Sequence, residues 1–428
     1  ATGRGPAAEH PARTRGLTVA QVERLAAAAL GEPSRHAAVR FLVAMLPEAE
    51  SDLPGIRNSG LLATQELRQG VPERSDWPAA CKRGAHLLAL HGRKLVEGLG
   101  FEVDALSTHA TVLKTGNGNK RAVAIFLDEG EAFDAAAERL AGTSPVSHAL
   151  ARADAENLPW VVLTRGRQIR LYAARADTGV GRKGRAETFV EVNLALLPEG
   201  QAGYLPLLFG ADALSEHGTI EDILERSSDF AAGLAARLRE RVYFDTVPAL
   251  ATAVAARLGD PADLDENDLA RAYEQTLVIL FRLLFVAYAE DKDLLPYRSN
   301  SRYADHSLKR ITRGLAEGAR SGTAKFDSDA IDLWEDIRQL WRAVDKGNTG
   351  WGVPGYNGGL FSADPETSPA GAALAVIELT DAELGPALTS MLVDEGDDGV
   401  IGPVDFRSLS VREFGTIYEG LLESMLSI

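Results

Sequence analysis

Carboxylates and cations at close spacing are the first residues that could do chemistry in this chain. Asp104 precedes an apolar run at 110–114 ending on Lys114, and Asp128, Glu129 and Glu131 follow a second run at 121–127. An Asp near one strand and an acidic-x-Lys on the next hold a divalent cation and orient hydroxide in metal-dependent nucleases. Here the second run reads AVAIFL over 122–127, apolar where the acidic residue and lysine belong. Asp104 with Asp128 or Glu129 therefore leaves at most a poor magnesium site. A working nuclease remains the rival reading, beside a nuclease-like scaffold without its metal and an unrelated α/β domain. Glu290, Asp291, Lys292 and Asp293 end an apolar helix before Pro296, and that pattern predicts a solvated helix end. Asp394, Glu395, Asp397 and Asp398 read as a mobile acidic loop without the closing Glu of a calcium site. The eight histidines show no metal-ligand spacing; His86 and His91 stand five apart.

The elements that position these residues change character along the chain. Thr18 is a candidate N-cap for a helix over 17–29, and further helices are expected at 35–45, 86–98 and 131–140. Runs at 110–114 and 121–127 flank the turn residues Thr115-Gly-Asn-Gly-Asn119 and predict a hairpin. A second strand pair, 160–163 and 168–173, surrounds Arg165-Gly-Arg167, and 188–193 supplies a further strand. From 220 onward the pattern is helical, with segments at 220–241, 247–258, 268–290, 329–344, 381–391 and 411–425. The expected organisation is a mobile tail (1–16), an α/β (α+β) amino-terminal domain (17–215) and a mostly α-helical connector (216–428).

Composition narrows the function. Of the 428 residues, 45% are apolar and 25% charged, which is globular usage. The single cysteine, Cys81, excludes an internal disulfide or a thiolate zinc site and suits a reducing cytosol. The longest apolar stretch, 277–289, is too short to span a bilayer and contains Arg282, so a buried helix and a cytoplasmic protein are expected. A net charge of −16 disfavours tight duplex binding by the chain as a whole. Local cations on hairpin tips, Lys120 with Arg121 and Arg165 with Arg167, are the candidate phosphate contacts.

Three stretches carry a resemblance: 273–296 (YEQTLVILFRLLFVAYAEDKDLLP), 356–361 (YNGGLF) and 405–423 (DFRSLSVREFGTIYEGLLE). In this order and spacing they resemble the connector of type IIG-like restriction-modification methylases. Related adenine-N6 methylases of the phage-exclusion, phage-growth-limitation and DISARM defence systems share it. A strand pair of similar flavour lies at 160–172. The resemblance implies an S-adenosylmethionine-dependent methyltransferase domain just beyond the last stretch. Neither an Asn-Pro-Pro-aromatic tetrapeptide nor a cofactor-type glycine turn occurs in these 428 residues. The chain is thus expected to bind no cofactor, to position DNA as a scaffold, and to receive the methylase from a domain or subunit elsewhere, with other defence proteins as partners. A pure protein-binding module is the further alternative. Tyr356 and Asn357, in a loop freed by two glycines, are candidate DNA contacts or packing residues. The last helix presents Phe414, Ile417, Leu421 and Leu422 on one face, with Tyr418 at its edge and Glu419 away from it. It is expected to pack on Leu280, Leu284 and Tyr288, and Ile417, Tyr418, Glu419 and Leu421 are the candidate domain-interface residues.

Overall fold

The computed structural model describes residues 18–30, 53–181, 184–260, 262–356, 358–396, 399–410 and 412–415. The tail 1–16, the helix expected at 35–45, Asn357, Asp397, Asp398 and the interface candidates Ile417, Tyr418, Glu419 and Leu421 lie outside the described residues. The chain divides into two compact units, Ala1–Ala231 and Ala232–Ile428, and the boundary falls within a helix, Thr219–Arg241.

The first unit is built on a seven-stranded mixed sheet. Its strands are β1 (Ile56–Ser59), β2 (Glu102–Ala105), β3 (Thr111–Lys114), β4 (Lys120–Leu127), β5 (Trp160–Arg165), β6 (Gln168–Ala173) and β7 (Phe189–Asn193), in the spatial order β1-β7-β6-β5-β4-β3-β2. Both expected hairpins form: Thr111 faces Ala124 across β3 and β4, and Trp160 faces Ala173 across β5 and β6. Among the described strands, β4 and β5 are the one pair that runs parallel, and a parallel pair needs a crossover. Helix α4 (Pro145–Ala155) lies in that connection, opened by the Ser144 side chain accepting from the Ser147 N–H with Pro145 in the first turn. Alternation along β4 feeds two cores. Ala122 and Ala124 join a cluster with Leu61, Leu95 and Trp160, while Val123, Ile125 and Leu127 join one with Phe133, Val146 and Tyr172. Burial on both faces explains why the central strands read as unbroken apolar runs.

Two expected helices differ. Instead of a helix at 131–140 there is one 3-10 turn, Glu138–Leu140, ended by Ala141 at φ 55°. Phe133 is drawn into the core, and the Glu131 carboxylate is spent on Arg139 and on the Asp128 N–H. The predicted 86–98 helix is two helices, α2 (Trp77–Leu87) and α3 (Gly92–Gly98), broken before Gly92 at φ 56°. Strand β1, at the edge of the sheet, pairs with β7. A short helix α5 (Tyr204–Phe209) closes the sheet domain before α6 (Thr219–Arg241), with α1 (Val19–Leu30) at its amino end.

The second unit is mainly helical. A π turn, Val242–Thr246, joins α6 to α7 (Val247–Ala255). Helix α8 (Glu266–Asp291) starts on a capping box between Asp265 and Asp268. Among the described residues it is the single helix long and apolar enough to cross a membrane, but it is mostly buried in the unit and includes the buried charges Arg282 and Glu290. Helices α9 (Ser301–Ala304), α10 (Leu308–Ser321), α11 (Asp332–Lys346), α12 (Pro369–Leu374) and α13 (Asp381–Leu392) follow. A two-stranded ribbon, β8 (Val393–Glu395) with β9 (Ile401–Pro403), follows, and then a 3-10 turn at Phe406–Ser408. The acidic run at 394 is not a free loop. Asp394 sits in β8 and pairs with Arg237 and Arg241, each at 3.0 Å, because two arginines on α6 need a counter-charge there.

Candidate functional site

In the first unit the residues that could have formed a nuclease site are engaged with one another or kept apart. Asp104, on β2, forms an ion pair with Lys114 on β3, and this neighbour holds its carboxyl below the usual range. Four consecutive residues of β4, Ala122 to Ile125, are buried and apolar. Among the described residues no group of three or more His, Cys, Asp or Glu could hold a metal ion.

The four candidate phosphate contacts each have internal partners. Lys120 reaches Glu156 at 2.9 Å, and Arg121 donates to the Leu214 carbonyl at 2.7 Å and pairs with Glu221 at 3.3 Å. Arg165 bonds Gln168 and the Glu131 carbonyl and lies over the Phe133 ring, while Arg167 donates to the Leu88 carbonyl at 3.1 Å. A more buried charge pair lies beside them. Arg170 on β6 faces Glu191 on β7, and the guanidinium is sandwiched between the rings of Phe133 and Phe189 at 4.0 and 4.3 Å. Tyr172 accepts from Arg170 at 3.2 Å, and burial pushes its phenol up to about 12. The sequence carries a signal for this pair, since Arg170 and Glu191 are each flanked by two apolar residues, Ile169 with Leu171 and Val190 with Val192.

In the second unit the three stretches with a shared resemblance meet around the carboxyl-terminal half of α8. Arg282, buried on α8, donates to the Leu360 carbonyl at 2.7 Å and to the Ser362 carbonyl at 3.0 Å. Its guanidinium also lies 5.0 Å from the Trp341 ring centre, and desolvation lowers its pKa to about 10. Gly371 is required at this point, because a Cβ there would overlap the Ser362 carbonyl and the Arg282 head. Phe285, one turn on, meets Tyr356 and Phe361 edge-on at 6.2 and 5.3 Å. The Tyr356 hydroxyl donates to the Leu294 carbonyl at 2.9 Å, so this half-exposed residue packs its ring while its edge stays accessible. The third stretch arrives at the end of the same helix. Lys292 donates to the Arg407 carbonyl at 2.7 Å, Arg407 returns bonds to the Asp291 carbonyl and to Asp293 at 3.0 Å, and Phe414 meets Tyr288 at 5.0 Å.

This arrangement overturns the expected solvated helix end. Glu290 is wholly buried, and Asp291 and Lys292 nearly so. The Glu290 carboxylate accepts from the Tyr303 hydroxyl and from the backbone N–H of Leu308 and Lys309, each at 2.8 Å. Its burial cost is offset by satisfying donors at the start of α10. Desolvation nevertheless raises the Glu290 carboxyl to about 7. Charge spacing alone could not distinguish a capping carboxylate from a solvated one, because the partners lie 13 to 19 residues further along.

Comparison of the chain with known protein families, curated proteins and solved structures gives no significant match.

Proposed function

We propose that this chain is the DNA-positioning and scaffold portion of a bacterial phage-defence or restriction-modification adenine methylase. The observation that carries this reading is the convergence of residues 273–296, 356–361 and 405–414 on one half of α8. Stretches separated by 59 and 43 residues of other sequence form one hydrogen-bonded and aromatic cluster, which supports treating them as a single connector. S-adenosylmethionine and the methyl-transfer residues would belong to a domain or subunit beyond this sequence, and a cytoplasmic location follows from work on chromosomal or phage DNA. The first unit is, in this reading, a nuclease-like scaffold without its metal. Its meander β2-β3-β4, crossover α4 and parallel β5 favour that description, while the apolar β4 and the Asp104–Lys114 pair weigh against cleavage. Fold alone does not confer the activity.

Disruption of the reading frame in its host, followed by single-molecule sequencing of genomic DNA, tests the proposal. Loss of N6-methyladenine at one recurring sequence motif, restored by a plasmid copy, is expected. An unchanged methylation pattern would overturn it.

A further inference from the structure

We propose that α9 and the first half of α10, together with the preceding Tyr297, form a face that grips the sugar-phosphate backbone of duplex DNA, with Arg302 and Arg313 as its phosphate contacts. The inference rests on the DNA-positioning reading above. Residues 296–316 carry five cations, Arg298, Arg302, Lys309, Arg310 and Arg313, against one acid, Asp305. The span is basic in a chain whose net charge is −16, but carboxylates from outside it answer three of these cations, so Arg302 and Arg313 are what this face offers to phosphate.

Geometry separates the cations paired with a carboxylate from those that are not. Lys309 pairs with Asp291, Arg310 with Asp336, and Arg298 with Asp293 at 3.2 Å. Arg302 and Arg313 are exposed, and neither guanidinium meets a carboxylate among the described residues. The Lys309 ammonium and the Arg313 guanidinium lie over the Tyr297 ring, 5.1 and 5.6 Å from its centre, so one aromatic ring orients two cations one turn apart.

The backbone beneath is fixed. Asn300 caps α9 through the Arg302 and Tyr303 N–H groups at 3.0 and 3.2 Å. Tyr303 is anchored on Glu290, and the same carboxylate takes the Leu308 and Lys309 N–H groups. One buried group therefore ties both short segments that carry the free arginines. Guanidinium forks suit phosphate oxygens and stack on sugars, and such contacts set position along a duplex without reading its sequence.

Fluorescence anisotropy of the full chain with a labelled duplex of about 30 base pairs tests this, over about 50 to 200 mM salt. R302E/R313E is compared with K82E/R83E, a pair of exposed cations on α2 in the other unit that makes the same change in net charge. Duplex binding that weakens with salt is expected. R302E/R313E should lose roughly tenfold in affinity and flatten the salt slope by about two, near 0.9 per phosphate contact, while K82E/R83E should change little. Absence of duplex binding, equal losses in both variants, an unaffected R302E/R313E, or preference for a single strand of the same length would each overturn the proposal. Should R302E/R313E melt early, R302Q/R313Q serves in its place. The reading frame disruption does not depend on these arginines. Methylation lost on disruption with R302E/R313E binding normally would sink the face alone, and the reverse result would sink the methylase reading alone.

Discussion

The Tyr303 hydroxyl donates to the Glu290 carboxylate at 2.8 Å, and both side chains are completely shielded from solvent. A carboxylate in such a place would be costly without partners. Here the end of α8 and the start of α10 share it, so one buried group fixes the angle between two helices. Burial also raises the Tyr303 phenol, and the neighbouring carboxylate adds to that rise.

The raised Glu290 pKa makes stability depend on pH. Its folded value of about 7 lies above the ordinary 4.5 of the unfolded chain, so between these values the folded protein keeps a proton that the unfolded chain has released. Stability from this group is complete below pH 4.5, falls as pH rises towards 7, and is lost above it. The shift corresponds to a loss on the order of 3 kcal/mol. Thermal melting between pH 5 and 8 should show the wild type losing stability across this window and Glu290→Gln losing much less. Parallel profiles for the two proteins would exclude Glu290 as the source.

Arg282 should govern the order of the glycine-rich segment at 358–362. Its two bonds to the Leu360 and Ser362 carbonyls tie that segment to α8, and lysine cannot reproduce the planar fork. Arg282→Met leaves both carbonyls with no donor from α8. Chymotrypsin, which cuts after aromatic residues, should then cleave at Tyr356 and Phe361 several-fold faster, with Arg282→Lys intermediate. Equal cleavage of all three proteins would show that Phe361 and its ring contacts hold the loop without the guanidinium.

Periodicity made the strands and long helices legible, because burial on one or two faces imposes spacings of two or 3.6 residues. Both hairpins and α8 are of this kind. Irregular segments escaped because distant partners shape them. Phe133 belongs to a core completed by Tyr172 and Phe189, which overrides the helical composition of 131–140. The same reason hid Glu290, whose partners come from α10 and from the turn before it. Asp394 looked like loop because its two arginines lie on α6, more than 150 residues earlier in the chain. The basic stretch 296–316 was not singled out in the sequence, and only the pairing of Lys309, Arg310 and Arg298 shows which of its cations remain for a ligand.

The contact between Phe414 and Tyr288 is the first step of the packing expected for the last helix. Phe414 is in its opening turn, and its ring meets Tyr288 of α8 at 5.0 Å and an angle of 77°, while stacking near Phe406 at 6.0 Å. Edge-to-face pairs of this geometry contribute roughly 0.5–1.5 kcal/mol beyond the area they bury. A double-mutant cycle isolates that coupling, provided each substitution removes the contact without making another. Phe414→Leu and Tyr288→Leu keep apolar volume and delete the ring interaction. Each should lower the melting midpoint, and the double variant should fall by less than the sum, leaving a coupling of about 1 kcal/mol. Additive losses would mean that the two rings are neighbours without interacting, and that Phe406 alone seats the turn. Tyr288 carries a second partner, the Lys292 ammonium at 5.4 Å from its ring, so Tyr288→Phe is the control: it retains both ring contacts and should leave the cycle intact.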